Sequence, residues 1–107
     1  MKLLIKALLK RFEKIGNQDD SNDPIVIAKF FNPIGNGTWY ATEYNPKTRT
    51  FFGYVSIYGD HNDEWGFFSL DELESVRTFG LGIERDLYFE EKPISKIIIK
   101  RNFPKIL

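Results

Sequence analysis

The chain has 107 residues, of which 42% are hydrophobic and 16% aromatic, and its formal net charge is zero. This length fits a single domain over residues 1–107, and each large ring can bury roughly 150–250 Å² of a core. The absence of cysteine excludes disulfides, thiolate metal sites and cysteine nucleophiles. No apolar run approaches the roughly 20 residues that cross a bilayer, and no signal-peptide cleavage site follows the N-terminus. The sequence therefore predicts a soluble, cytoplasmic protein with no membrane partner.

The first fifteen residues predict an amphipathic helix. Leu8, Phe12 and Ile15 recur at helical spacing, while lysines recur every four residues on another face. Gly16 then ends the helix. One interpretation is a basic helix that binds a membrane or nucleic acid. The other, which we favour, is a helix that packs its apolar face on a sheet and leaves its lysines in solvent.

Four segments rich in β-branched and aromatic residues predict successive strands. They are residues 25–31, 38–44, 51–58 and 64–68. Because the connections between them are short, we expect an antiparallel meander. Gly53 and Gly66 stand inside two of these strands, where glycine indicates a bulge or a close approach of the backbone.

The stretch "NPIGNG" between the first two strands could be a phosphate-binding loop or a turn. A dinucleotide fingerprint would need a further glycine where the chain has Tyr40, and the Gly-Lys-Ser/Thr of a Walker loop is absent. Asn36 and Gly37 instead supply two residues that tolerate positive φ in a tight hairpin turn. The sequence thus predicts a corner, and no cofactor.

The segment after the fourth strand changes from alternation to helical spacing. Ser69 and Glu72 form an S-x-x-E capping box, which predicts a short helix beginning there. We expect Gly80 and Gly82 to close this helix. Residues 86–90, which include two aromatic rings, then predict a fifth strand.

The tail over residues 95–100 is ambiguous, because its sequence suits either a strand or a short helix. Its run of three isoleucines, Ile97–Ile99, favours a strand. Together the elements predict an α+β fold, an antiparallel β-sheet meander of about five strands with an N-terminal amphipathic helix and one short helix.

The single histidine, His61, stands among acidic residues, and histidine with carboxylates can bind a divalent metal ion. Asp60, Asp63 and Glu64 are its acidic neighbours. Because ligands on adjacent residues of a hairpin corner seldom converge, we expect a solvated turn and no metal site.

Catalytic residues are not marked by the sequence. A Ser-His-Asp arrangement would have to use the one loop histidine as its base. Several glutamates could supply a general acid and a general base, but nothing identifies two of them as a pair. We therefore expect that the protein is not an enzyme.

Charge is distributed unevenly along the chain. Residues 1–15 carry five basic and one acidic side chain, and residues 92–107 carry five basic side chains and no acidic one. Residues 43–91, in contrast, carry four basic and eleven acidic side chains. Ten of the seventeen aromatic residues fall between Trp39 and Phe68, mostly inside this acidic region, and bases stack on such rings. Since phosphate binding needs positive charge, the sequence disfavours nucleic acid as a partner of the sheet.

The acidic middle of the chain favours a protein partner that has a basic groove. Carboxylates can occupy positions that phosphates would take, and long-range attraction speeds the encounter. The candidate partner-binding residues are Asp71, Glu72, Glu74, Glu84, Asp86, Glu90 and Glu91. The alternative is that these side chains only keep the protein soluble.

Several stretches, "MKLLIKALLK", "TWYATE", "GFFSLDELE" and "GLGIERDLYF", resemble a small bacterial family of unknown function that is common on plasmids and other mobile elements. The resemblance covers roughly residues 1–93. Some members resemble anti-CRISPR proteins that inhibit Cas9 of type II systems, which implies a non-enzymatic inhibitor that binds Cas9 or its complex with guide RNA. The alternative is a plasmid accessory protein that contacts nucleic acid through its basic ends. The resemblance transfers no binding role to any residue of this sequence.

Overall fold

The computed structural model describes residues 1–57 and 63–102, with side chains as far as Ile98. The elements in chain order are α1 (Lys6–Ile15), β1 (Ile25–Val26), β2 (Ala28–Phe31), β3 (Thr38–Asn45), β4 (Thr50–Ser56), β5 (Glu64–Ser69), α2 (Leu70–Ser75), β6 (Arg77–Thr78), β7 (Leu81–Gly82), β8 (Glu84–Arg85), β9 (Lys92–Pro93) and α3 (Ser95–Asn102). This is the α+β class that the sequence predicts. Among the described residues, no helix is both long and apolar enough to span a bilayer.

Five strands form one antiparallel sheet in the order β5-β4-β3-β2-β8. The predicted meander is confirmed, because each strand from β2 to β5 pairs with the next. The first predicted strand is split, however, since β1 pairs with β9 and only β2 joins the sheet. The strand β5 lies at one edge of the described sheet and the short β8 at the other.

The larger core lies between α1 and one face of the sheet. Phe12 of α1 packs on Phe51 of β4, with ring centroids 5.8 Å apart. Phe51 also contacts Phe30 at 5.2 Å and Phe68 at 5.3 Å. All four side chains are buried. The helix therefore has the packing role that we favoured, and its lysines are exposed.

A smaller core lies on the opposite face of the sheet, under α3. Its buried members are Val26, Tyr54 and Ile94. Tyr54 is three residues from Phe51 along β4, so the two rings point to opposite faces. Ile97 and Ile98 of α3 pack against this cluster. The two basic ends of the chain are thus separated by the sheet.

The tail is a helix, so the predicted strand over residues 95–100 is wrong. The carboxylate of Asp23 accepts hydrogen bonds from the backbone N–H of Ser95 at 2.9 Å and from its hydroxyl at 2.6 Å. This supplies an acceptor for an N–H group at the start of α3, where a helix leaves such donors unsatisfied. Packing on the sheet and this remote cap outweigh the β-propensity of the isoleucines.

The fifth strand lies earlier than predicted. The strand β8 pairs with Phe30 and Phe31 of β2. The chain then leaves the ladder at Asp86, whose Oδ1 accepts from the N–H of Tyr88 at 2.9 Å. A side chain that bonds two residues ahead stabilises a turn in place of a strand, so the prediction of a strand over residues 86–90 is wrong.

The short helix α2 begins as predicted and ends too early for the predicted glycines to close it. Ser69 Oγ accepts from the N–H of Glu72 at 3.1 Å, which confirms the cap. The helix ends at Ser75 because the residues that follow pair with each other as the hairpin β6-β7. Phe79 and Gly80 form its turn, with φ values of 51° and 83°.

The helix α1 also begins later than predicted, at Lys6. The residues before it include Leu3, which is fully buried. The guanidinium of Arg85 donates to the carbonyls of Lys2 and Leu3 at 2.8 and 3.1 Å. In a helix beginning at the first residue, these two carbonyls would accept hydrogen bonds from N–H groups one turn later, and here they accept from Arg85 of β8 instead.

The corner at Asn36-Gly37 is confirmed as a turn, but it is wider than a two-residue hairpin. The N–H of Asn32 donates to the carbonyl of Gly37 at 3.0 Å. Asn32 Oδ1 accepts from the backbone N–H groups of Ile34 and Gly35, each at 3.1 Å. Of the predicted pair, only Gly37 has positive φ, at 127°.

Candidate functional site: an acidic and aromatic groove at the sheet edge

The seven predicted partner-binding carboxylates are divided among three places. These are the first turn of α2 (Asp71, Glu72), a small cleft (Glu74, Glu84) and the segment between β8 and β9 (Asp86, Glu90, Glu91). The sequence placed all seven on one acidic surface facing one partner. In the structure Glu74 and Glu84 line the same small cleft, and the members of each of the other two places are near neighbours in sequence.

Three of the seven already have a basic partner inside the chain. The pairs are Asp71–Arg49 at 2.8 Å, Asp86–Lys29 at 3.5 Å and Glu91–Arg11 at 2.9 Å. The hydrogen bond from Arg49 holds the pKa of Asp71 below its ordinary value. Because these carboxylates are neutralised locally, they offer less charge to another protein.

The other four candidates differ in their exposure. Glu74 Oε2 accepts from the backbone N–H of Leu3 at 3.5 Å. Glu84 is half-buried in the edge strand β8. Glu72 and Glu90 are exposed. These two are therefore the predicted residues best placed to meet a partner.

A strip of aromatic rings lies on the sheet face opposite α1 and is carried by β4 and the edge strand β5. Phe52 of β4 stacks on Trp65 of β5 with centroids 5.9 Å apart, and it contacts Phe67 of β5 at 4.9 Å. Tyr54 meets Trp65 edge-on at 5.6 Å, which joins the strip to the core under α3. Phe67 is 77% exposed and Trp65 is 38% exposed. We call Phe52, Trp65 and Phe67 the aromatic strip.

Two cavities adjoin at Phe52 and are lined in part by the aromatic strip. The larger, of about 540 Å³, extends from Phe67 to the C-terminal end of α1. The smaller, of about 400 Å³, extends from Trp65 to the loop between α1 and β1. Glu43 and Phe52 line both cavities. We call the two cavities and the aromatic strip together the edge groove.

Carboxylates line the edge groove, and the described part of the chain places no lysine or arginine in its lining. Glu13 lines the larger cavity, Asp19 lines the smaller one, and Glu43 lines both. Among the described residues none of the three forms an ion pair. The negative charge of the groove is therefore uncompensated within the described structure, unlike that of the paired carboxylates elsewhere.

A β-bulge and one glutamine hold the wall of the edge groove. The register of β3 against β4 shifts between Ala41 and Glu43, so Thr42 is an extra residue in β3. Gln18 Nε2 donates to the carbonyls of Thr42 and Ile25, each at 2.8 Å. The N–H of Ile25 donates back to Gln18 Oε1 at 2.7 Å. The Gln18 amide thus ties the loop between α1 and β1 to the sheet beside Glu43.

The same loop orients Glu43. Its Oε2 accepts from the backbone N–H of Gln18 at 2.8 Å. Within the described residues its second oxygen makes no hydrogen bond. After the bulge, Glu43 lies opposite Phe52 of β4. Because paired residues point to the same face of a sheet, the carboxylate stands over the face that carries the aromatic strip. One oxygen is fixed by the protein and the other is available to a ligand.

A tyrosine adds a neutral polar group to the larger cavity. Tyr44 lines this cavity and packs on Phe12 and Phe51, with ring centroids 6.1 and 4.8 Å apart. Burial raises the pKa of the Tyr44 hydroxyl above its ordinary value. The hydroxyl therefore stays protonated at neutral pH and can act as donor or acceptor.

In residues 1–57 and 63–102, no group of three or more His, Cys, Asp or Glu side chains is placed to hold a metal ion. The predicted solvated corner around His61 lies outside the described residues.

The groove carboxylates are absent from the predicted partner-binding residues, for a physical reason. Glu13, Asp19 and Glu43 come from a helix, a loop and a strand, and no sequence period links them. One signal was available in the strands β4 and β5, which carry aromatic residues on both faces. Because α1 covers only one face, Phe52 and Phe67 could have been expected to line a second, more open surface.

A family model described as "Protein of unknown function (DUF2958)" matches residues 2–101. No curated protein and no solved structure matches the chain. The matched region contains every residue that lines the edge groove.

Proposed function

The chain belongs to the DUF2958 family of proteins of unknown function, and we propose that it is a non-enzymatic inhibitor that acts by binding another protein. One observation carries the proposal: in the described part of the chain, exposed aromatic rings and carboxylates without an ion-pair partner adjoin an edge strand that pairs with no further strand, in the edge groove. Large exposed apolar clusters with a polar rim are typical of interaction sites. Aromatic side chains are also enriched among the residues that dominate binding energy.

The proposed source is a mobile genetic element, and the proposed target is a Cas9-like nuclease, free or bound to guide RNA. The resemblance of "TWYATE", "GFFSLDELE" and "GLGIERDLYF" supports this choice of target. Nucleases of this kind hold nucleic acid in a positively charged channel. An acidic surface has the complementary charge, and residues 43–91 carry eleven acidic side chains against four basic ones.

Binding and inhibition with purified components test the target. The chain is immobilised, and Cas9 is passed over it with and without guide RNA. We expect association that slows as salt is raised, because exposed charges are screened over about 8 Å at physiological ionic strength. Cleavage of a duplex target should slow in parallel. If neither form of Cas9 binds, the target is wrong.

The sequence-predicted carboxylates can be tested separately from the edge groove. Glu72→Gln and Glu90→Gln remove two exposed charges that have no ion-pair partner among the described residues. If these charges steer the encounter, the double variant associates more slowly and dissociates at an unchanged rate. An unchanged association rate would remove both from the binding surface.

The alternative function, a plasmid accessory protein that contacts nucleic acid through its basic ends, has weaker geometric support. The lysines of α1 and the exposed Lys96 of α3 lie on opposite sides of the sheet. One duplex could not contact both at once without wrapping the domain. This alternative predicts binding to duplex DNA that Lys96→Glu weakens, and a gel-shift measurement at low salt would detect it.

A further inference from the structure

We propose that the edge groove binds a lysine or arginine side chain on an extended segment of the partner protein. This inference rests on the proposed protein-binding function and names the chemistry that the partner must present. Three features of the described residues carry it: the ring faces of the aromatic strip, the carboxylates around them that form no ion pair there, and the edge of β5, which pairs with no further described strand.

The aromatic strip offers ring faces to a cation. Indole is the best aromatic group for this contact, and Trp65 is stacked on Phe52 and 38% exposed. Phe67, 77% exposed, adds an apolar surface for the aliphatic stem of a long basic side chain. The strip alone would bind any apolar group, so the choice of a basic group depends on the carboxylates.

The carboxylates give the groove its charge preference. Glu43 lines both cavities, with one oxygen fixed by the N–H of Gln18 and the other unbonded among the described residues. Glu13 and Asp19 stand on either side of it, and none of the three has a basic partner there. A guanidinium or ammonium group would complete this arrangement with charge-assisted hydrogen bonds. A phosphate group would be repelled.

On the same face of the sheet, the chain places one of its own lysines between an aromatic ring and a carboxylate. Lys29 Nζ lies 6.0 Å from the centroid of the Tyr40 ring and 3.5 Å from a carboxylate oxygen of Asp86. A lysine is thus held there between an aromatic ring and a carboxylate. Among the described residues, the edge groove presents the ring and the carboxylate without a cation.

The open edge of β5 gives the partner's backbone a place to lie. The described sheet ends at β5, whose outer backbone groups have no strand partner in the part of the chain that the structure describes. An extended segment can pair with such an edge. Alternate side chains of the added strand would then stand beside Trp65 and Phe67 on the same face.

The experiment uses small probes, so it does not require the natural partner. The chain labelled with ¹⁵N is titrated with N-acetyl-arginine methylamide, and the indole N–H signal of Trp65 is followed after assignment with a Trp65→Phe variant. We expect saturable shifts with a Kd on the order of millimolar, since one side chain provides few contacts. The uncharged N-acetyl-norleucine methylamide should bind at least about fivefold more weakly.

Conservative variants test the carboxylates. The double variant Glu13→Gln, Glu43→Gln keeps an acceptor for the N–H of Gln18 and should raise the Kd of the arginine probe by about tenfold. Glu64→Gln is the matched control, because Glu64 is exposed on β5 but pairs with Val55 on the other face. The Kd of the Glu64→Gln variant for the arginine probe should be unchanged. An unchanged spectrum away from the groove confirms that each variant is folded.

Several results would overturn the inference. They are equal binding of the arginine and norleucine probes, absence of any shift at Trp65, and a Kd that the double variant leaves unchanged. A dimer of the free chain that Phe67→Ser dissolves would assign the groove to a second copy and would also overturn it. Failure with Cas9 is a separate result, because arginine binding without nuclease binding would reject the target and keep the groove.

Discussion

Gly53 of β4 lies so close to the carbonyl oxygen of Tyr40 on β3 that residue 53 has no room for a Cβ atom. The contact stands beside the bulge at Thr42, where β3 bends over its neighbour. The sequence predicted a bulge or close approach at Gly53, and this is confirmed. At Gly66, the cross-strand neighbour of Gly53, no described atom lies within 4 Å of the Cβ position, so the predicted close approach is wrong.

We expect Gly53→Ala to lower the free energy of unfolding by about 3 kcal/mol, because the added methyl group forces β3 and β4 apart. Urea unfolding followed by tryptophan fluorescence measures the change. Gly66→Ala is the matched control, and its effect should stay within about 0.5 kcal/mol. Equal losses at the two positions would mean that strand propensity, and not the overlap with Tyr40, explains the glycine.

Gly37→Val should destabilise the fold by roughly 1–3 kcal/mol, through strain at positive φ. Gly37 has a φ of 127°, and a Cβ there would stand 2.7 Å from an atom of the Trp39 ring. Asn36→Ala is the control, because Asn36 is exposed and is not among the residues with positive φ. Thermal unfolding compares the two. A loss at Asn36 as large as that at Gly37 would favour the two-residue turn predicted from the sequence.

Phe79→Asn should stabilise the fold by about 0.5–1 kcal/mol, because asparagine tolerates the left-handed conformation better than phenylalanine does. Phe79 has a φ of 51° and is 92% exposed, so its ring contributes little packing that could be lost. Phe79→Val should act in the opposite direction, since a β-branched residue is more strained there. Chemical denaturation of the three proteins measures both changes, and a destabilised Asn variant would contradict this account of the turn.

The bond between Asp23 and Ser95 should make the attachment of α3 sensitive to acid. The hydrogen bond from the Ser95 hydroxyl is the largest cause that lowers the pKa of Asp23 from its ordinary value of 3.8. A carboxyl group with a lowered folded pKa stabilises the fold fully above its unfolded pKa, and this contribution is lost as pH falls through the folded value. Stability should therefore decrease as the pH is lowered below about 4.

Urea unfolding at a series of pH values tests this linkage. Asp23→Asn should be less stable than the natural chain at neutral pH, and its stability should fall less steeply in acid. Ser95→Ala, which removes the hydroxyl donor but keeps the backbone donor, should give an intermediate slope. Three parallel pH profiles would show that the cap does not contribute to acid unfolding.

Local signals explain which elements the sequence could predict. The strands β3 and β5 follow from runs of aromatic and β-branched residues, and the start of α2 follows from Ser69 and Glu72. In each case the residues that decide the conformation are neighbours in sequence. The predicted bounds of the two strands lie within a residue of the observed ones.

The elements that the sequence could not predict depend on contacts across the chain. The helix α3 is capped by Asp23, which is 72 residues from Ser95. The edge groove has the same character, because the position of Glu43 depends on a bulge in β3 and on Gln18 of a distant loop. No periodicity in the tail or in the acidic segment reports such contacts.

The bulge at Thr42 makes the edge groove dependent on chain length as well as on side-chain identity. A family member one residue shorter at this point could keep every cross-strand pair between β3 and β4, since Ala41 and Glu43 would then simply be consecutive. It would lose the Thr42 carbonyl, one of the acceptors of Gln18, which would weaken the attachment of the loop that walls the groove. In an alignment of family members, gain or loss of the groove would then show as a gap of one residue at this point. The residues around the gap could be conserved and would give no sign of the change.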